Sequence, residues 1–253
     1  MSLSMCNDLL LLQLVPRHRI ASITWLAHDA AASVMPGADA GVTVNHGHAE
    51  EILRDRPDLV LASPWSSPIL RRVAAGTGAR VIDVADADSF ASIRTVTRQV
   101  GAAVGEPARA QALVARMDAT LAMLARIRPQ QHRPRVLAWE GNGAVPGKDS
   151  LADAIVSAAG ADNLGARRGG PASVGLEQLL ALRPDALLQA DGRRAAPSLD
   201  RMRASHPLLR VAYHDRRIAF PATLYTCGLP QSAAAAAMLR RALDRLPRTP
   251  VAW

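Results

Sequence analysis

The sequence predicts an α/β protein built as two Rossmann-like lobes with parallel sheets, joined by one long backbone α-helix. Three observations carry that prediction. Short β-prone apolar runs alternate with helix-periodic segments in both halves of the chain. One long amphipathic stripe lies near the middle. A helix-to-strand pattern recurs on either side of that stripe at a constant offset. No apolar run, Leu9–Leu12 included, approaches the roughly 18–20 residues that a membrane-spanning helix needs.

Taken in order, Ile20-Ala-Ser-Ile-Thr24 is a first β-like run, after Pro16-Arg-His-Arg19. Leu59-Val-Leu-Ala62 and Arg80-Val-Ile-Asp-Val84 are two more, each preceded by a helical pattern, which implies parallel βα units. Ser89 to about Ile127 reads as almost wholly helical, broken only at Gly105-Glu-Pro107. In its second part Ala110, Leu113, Val114, Met117, Leu121, Leu124 and Ala125 recur at three- and four-residue spacing. That stripe is about 20 residues long, or roughly 30 Å of helix. Pro129 to Pro134 ends it. Strand-like segments resume at Arg135–Trp139, Ala186–Gln189 and Arg217–Phe220, and a last helix runs from about Gln231 to Leu246. The expected division is an N-terminal lobe over 1–88, a helical segment with the interlobe helix over 89–128, and a C-terminal lobe over 129–253.

The repeat sharpens this division. Glu50-Glu-Ile-Leu-Arg-Asp-Arg-Pro-Asp-Leu-Val-Leu61 matches Glu177-Gln-Leu-Leu-Ala-Leu-Arg-Pro-Asp-Ala-Leu-Leu188 at an offset of 127. Each copy reads as a short helix ended by proline, an Asp-containing turn and a buried strand. Two copies half a chain apart imply two lobes of related topology.

Charge and composition exclude several functions. A formal net charge of +8 and a pI near 10.9 invite a nucleic-acid reading. Yet the sole lysine is Lys148, the arginines occur as scattered pairs, and aromatics make up only 3%, too few for single-strand stacking platforms. The excess of arginine with abundant alanine reads as coding bias, and nucleic acid is not the expected partner. Two cysteines make no disulfide framework, and no Cys-x-x-Cys pair is present for structural zinc. Nucleophile-elbow, phosphate-loop, zincin and dinucleotide signatures are all missing from the sequence, so no enzyme is expected.

In open α/β lobes ligands sit beyond the carboxyl ends of the strands. That rule selects Trp25 and His28 after the first run, and Ser63 and Trp65 after the second. In the second half it selects Trp139, Glu140 and Asn142, then Tyr225 and Cys227. Rigid aromatics on such loops suit a large flat ligand; the alternative is that they plug the space between lobes. His28, His46, His48 and Glu140 raise a metal question, either as ligands to a bare ion or with one histidine as axial ligand to a metal carried inside a larger ligand. Otherwise they are hydrogen-bonding loop residues. Cys6 and Cys227 are expected as buried free thiols, with metal-ligating thiolates as a second reading. A disulfide between them is disfavoured because it would fuse the two lobes. Arg167-Arg168-Gly-Gly170 is a basic loop that would meet an acidic group on a ligand, or only solvent.

The paired helix–Arg-Pro-Asp–strand motifs across a long helix resemble the helical-backbone, class III solute-binding proteins of ABC importers, which carry cobalamin, iron–siderophore complexes, haem or bare metal ions. Ser4-Met-Cys-Asn-Asp8 stands where that family has its first strand-to-helix turn. His46-Gly-His-Ala-Glu50 matches a segment usually written Gly-x-x-Asn-Leu-Glu, with Asn replaced by His48. Gly147-Lys-Asp-Ser150 and Gly160-Ala-Asp-Asn163 match elements of the second lobe. The usual first strand is reduced to Ser2-Leu3. The resemblance implies a periplasmic receptor, its signal peptide removed, that works as a monomer. It would hold a metal chelate or tetrapyrrole in an interlobe cleft and deliver it to an ABC permease dimer. No resident cofactor is implied, since cobalt or iron arrives within the ligand. The long helix would restrict lobe motion to small rocking. Trp25, His28, Asn45, His46, Trp65, Trp139, Glu140, Tyr225 and Cys227 become the expected ligand-binding set. Glu50 and Glu177, equivalent in the two repeats, become the expected permease-docking pair. A bare metal-ion receptor of the same fold is the alternative, and an enzyme using the cleft a more distant one.

Overall fold

The computed structural model describes residues 1–28, 33–127, 133–139, 143–168, 172–189, 199–220 and 222–247. The chain falls into two units, one of residues 1–116 with 226–230 and one of residues 117–225 with 231–253.

The first unit begins with α1 (Met5–Leu14), whose cap is Ser4, its side chain accepting the Asn7 amide. Leu9, Leu10, Leu11 and Leu14 are buried, as are Asn7, Asp8 and Gln13, so α1 has no solvent face of its own. β1 (Ile23–Thr24) pairs in parallel with β2 (Val44–Asn45). The first β-run is shorter than its sequence suggests because Ile20 closes a 3-10 turn over Arg17–Arg19. Next come α2 (Ala49–Asp55), β3 (Leu59–Ala62), α3 (Pro68–Gly76) and β4 (Arg80–Asp83), with β3 and β4 in parallel register from Leu59↔Arg80 to Ala62↔Asp83. Residues 1–3 fill the space between β3 and β1. The Leu61 amide donates to the Met1 carbonyl, the Leu3 amide to Leu61, and the Ser2 amide to Ser22, each at 3.0 Å. Short as it is, Ser2-Leu3 thus performs a strand's role.

α4 (Phe90–Ala103) and α5 (Pro107–Arg126) follow, separated where Gly105 takes φ +76. The 20 residues of α5 match the apolar stripe read from the sequence, and the division between units falls inside this helix. The two helices touch at Gly101, where an added Cβ would lie 2.2 Å from that of Ala110. Leu9, Leu14, Ile23, Val96, Val100 and Leu113 belong to one core cluster of this unit, and Ile52, Val60 and Ala74 to another. Parallel strands covered on both faces read as continuous apolar runs, as Leu59–Ala62 does.

In the second unit β5 (Arg135–Ala138) is followed by β6 (Ala144–Val145), α6 (Leu151–Ala158), β7 (Asp162–Asn163), β8 (Ala172–Ser173), α7 (Leu176–Leu182) and β9 (Ala186–Gln189). α8 (Leu199–Ala204), α9 (Pro207–Ala212), β10 (Arg217–Ala219) and α10 (Ser232–Leu243) complete it. Its main sheet has the order β10-β9-β5-β7, all parallel, and β6 pairs antiparallel with β8. The α/β class with parallel sheets is as the sequence predicts.

The repeat is equally plain in the backbone. α2 and β3 shifted by 127 residues give the bounds of α7 and β9. Both helices end on an arginine in the left-handed region, Arg56 at φ 41 and Arg183 at φ 47, directly before the proline. A non-glycine residue tolerates that conformation at a cost, so its recurrence marks one turn design used twice.

The cysteines correct an expectation. Cys6 and Cys227 form a disulfide with a Cα–Cα distance of 5.2 Å. The sequence argument against it assumed that the bond would fuse the lobes. Instead, residues 226–230 fold with the first unit, so both sulfurs belong to one body. Gly228 shows how tightly this segment is seated, since a Cβ there would lie 1.9 Å from the Ala87 carbonyl oxygen. Neither thiol is free, and Cys227 is withdrawn from the expected ligand set.

Candidate functional site

The carboxyl ends of β1, β2 and β3 carry most of the expected residues of the first unit. Trp25 opens a 3-10 turn over Trp25–His28 and leaves 51% of its surface exposed. The strand end before it is held from α1. Asp8, fully buried, accepts the Thr24 amide at 3.2 Å and the Thr24 hydroxyl. Burial pushes the Asp8 carboxyl up to about 6, against the Ser2 and Thr24 hydroxyls and the Thr24 amide, which pull it down. His28 is exposed and pairs with Asp39.

After β2 the chain turns through Asn45-His46-Gly47-His48. Asn45 is buried completely, its amide donating to the Ser2 carbonyl at 3.0 Å and the Ser22 hydroxyl at 3.2 Å. It is a framework residue rather than a ligand contact, because its donors are consumed inside the sheet. His46 is exposed, and its ring stacks on that of His48 with centroids 6.3 Å apart. Glu51 organises this turn. Its carboxylate accepts the His46 amide at 2.9 Å and the His48 amide at 2.8 Å, and lies 3.4 Å from His46 Nδ1. Burial acts to raise the Glu51 carboxyl, but the amides of His48 and His46 outweigh it and hold the group below its ordinary value. The sequence argument passed over Glu51 for its neighbour Glu50. The available signal was the acid three residues after a helix cap, obscured because the cap is histidine.

After β3, Trp65 is 83% exposed, and its indole N–H donates to Asp86 Oδ2 at 2.8 Å. Two of the expected aromatics therefore stand open to solvent at strand ends of one unit. At the opposite ends of these strands is a separate cavity of about 250 Å³, bordered by Met1, Arg19, Asp58 and Arg80 among others.

The second unit departs further from expectation. Trp139 is 1% exposed, within a cluster that includes Leu137, Leu164, Leu187 and Tyr213, and its indole donates to the Val174 carbonyl at 2.7 Å. It is a core residue, since the position after β5 points into the unit. Tyr225 is half-buried and stacks on Phe220 at 5.0 Å. Glu140 and Asn142 lie outside the described residues, as do both glycines of the basic loop, whose Arg167 reaches Asp162 at 3.6 Å. Among the described residues no three His, Cys, Asp or Glu side chains gather into a metal-binding group, and no helix is long and apolar enough to cross a membrane.

Glu50 and Glu177 are both exposed, each the second residue of its helix, α2 or α7. A carboxylate there is favoured by the helix dipole and remains free to meet a partner.

The periplasmic binding protein family matches residues 4–211. The chain belongs to the periplasmic binding protein family. Its structural relatives include the heme-binding protein RhuT from Roseiflexus sp. RS-1 in apo form, 24% identical, with 95% of each chain covered and a TM-score of 0.74. BhuT, a periplasmic heme-binding protein solved with two hemes, is 26% identical over 85% of this chain and 87% of that one, at a TM-score of 0.68. The vitamin B12 binding protein BtuF of Vibrio cholerae is 18% identical, covering 98% of this chain and 97% of its own, at a TM-score of 0.70. No curated protein sequence matches. The family is one of class III periplasmic binding proteins that take small ligands and work with ABC permeases; its members are not enzymes. The resemblance read from the paired motifs is confirmed at that level.

Proposed function

We propose that this chain is the periplasmic receptor of an ABC importer for a haem-, cobalamin- or ferric-siderophore-like chelate, with a flat tetrapyrrole favoured. The observation that carries this reading is the pair of exposed indoles, Trp25 and Trp65, at the carboxyl ends of β1 and β3. Two large apolar faces left in water stand to gain from a ligand that covers them. The heme-binding relatives lend the same choice support. Iron or cobalt comes with the cargo and no resident cofactor is required. The receptor acts as a monomer in the periplasm and presents Glu50 and Glu177 to a permease dimer for register and steering.

Titration with hemin, cyanocobalamin and a ferric siderophore, followed by absorbance, tests the cargo. Saturable binding of one supports the reading. Binding of none, with tight uptake of zinc or manganese ions, replaces it with a bare-metal receptor. Charge reversal at both Glu50 and Glu177 is expected to abolish uptake while ligand affinity stays the same. Persistent uptake by that double variant removes the docking assignment.

A further inference from the structure

An exposed tryptophan normally samples several rotamers, and a ligand that stacks on it must first order it. Trp65 is built differently. Its loop, Ser63–Ser67, runs between β3 and α3 with prolines at 64 and 68. The Ser63 amide donates to Ser66 Oγ at 2.9 Å and the Ser66 amide returns a bond to the Ser63 carbonyl at 2.9 Å. Arg71 donates to that same carbonyl and pairs with Asp83 at 2.9 Å. The backbone under Trp65 is therefore fixed from both sides.

The side chain is fixed at its far end too. Asp86 receives the indole N–H, while 83% of the residue's surface stays open. Asp86 sits in the segment after β4, which is itself braced. The Val84 amide donates to the Ala62 carbonyl at 2.9 Å, and the Ala87 carbonyl lies against Gly228, next to the disulfide-bonded Cys227. The arrangement leaves most of the ring in solvent and restrains the one edge that carries a donor.

Building on the tetrapyrrole reading above, we propose that Asp86 is a positioning residue that holds the Trp65 indole plane ready to stack on a flat conjugated ligand. Asp86 itself touches no ligand in this scheme. It lowers the ordering cost of binding and biases the site towards planar cargo over rounder chelates.

The test pairs Asp86→Ala and Asp86→Asn with Trp65→Phe in the full chain, using hemin as the probe. Asp86→Ala is expected to weaken hemin binding roughly 3- to 10-fold. Asp86→Asn keeps an acceptor oxygen and is expected to restore most of the affinity. In the Trp65→Phe background, which lacks the N–H, Asp86→Ala is expected to have no further effect. A second readout needs no ligand. With 5-fluorotryptophan incorporated, the ¹⁹F signal that Trp65→Phe removes should broaden or split in Asp86→Ala and not in Asp86→Asn. An unchanged signal, or equal losses in both backgrounds, overturns the inference. If hemin does not bind the unaltered protein, the proposed cargo falls and the stacking role with it, while the ¹⁹F spectrum still decides whether Asp86 restrains the ring.

Discussion

Replacing Asp8 with asparagine isolates one buried charge. Asp8 lies at the start of α1, wholly out of solvent, and accepts the amide and hydroxyl of Thr24. Burial lifts its carboxyl from 3.8 to about 6. At 1.36 kcal/mol per unit this is about 3 kcal/mol of preference for the protonated form in the folded chain. Because the folded value is the higher one, the stabilising contribution is complete below about pH 3.8 and is lost as pH rises through about 6. Above that, the folded protein carries the full cost of an ionised group. Asn has nearly the same shape and cannot ionise. Urea denaturation of both proteins between pH 4 and pH 7 should show the variant gaining about 2 kcal/mol relative to the parent across the interval, the remainder of the shift lying below pH 4. Any constant offset from altered bonding to Thr24 drops out of that comparison. Parallel stability curves would refute the argument, because they would mean that Asp8 titrates alike in the folded and unfolded chains.

Further outcomes follow from other groups. Reducing the Cys6–Cys227 bond, or replacing both residues with serine, should cost about 3–5 kcal/mol, because the bond closes a loop of 221 residues; equal melting temperatures with and without reductant would contradict it. Glu51→Gln should lose about 1–2 kcal/mol near neutral pH, since the carboxylate serves the amides of His46 and His48. Its folded value is depressed, so that deficit should shrink as pH falls below 4.5, a trend that thermal melts over a pH series will follow. Trp139→Phe should destabilise the protein by about 1–3 kcal/mol by stranding the Val174 carbonyl, yet leave hemin affinity within about twofold; a selective loss of affinity would return Trp139 to the binding set.

Much of the architecture is legible because it is written in local chemistry. A proline ends each repeat helix, an aspartate follows, and an apolar run begins, so α2–β3 and α7–β9 can be located without tertiary knowledge. The break before α5 shows in the same way, through Gly105 and Pro107. What local chemistry leaves open is direction and partnership. Trp25, Trp65 and Trp139 all follow strands, but only the packing around each decides that two face solvent and the third enters a core. Asn45 stands in the expected ligand set until the Ser2 carbonyl and the Ser22 hydroxyl are seen to take its amide hydrogens. The partner of Cys6 lies 221 positions away, and no periodicity near Cys227 indicates to which unit its segment returns.

That return has a consequence for how the chain can be made and cut. The first unit is closed by residues 226–230, which leave the ribosome only after the 109 residues from 117 to 225. Until then α1 lacks the covalent strap that Cys227 supplies, and the seat beside Ala87 stands empty of Gly228. A gene fragment ending near residue 116 would encode the sheet without its fastening. The smallest piece that closes the amino-terminal body therefore carries residues 117–225 of the other unit with it.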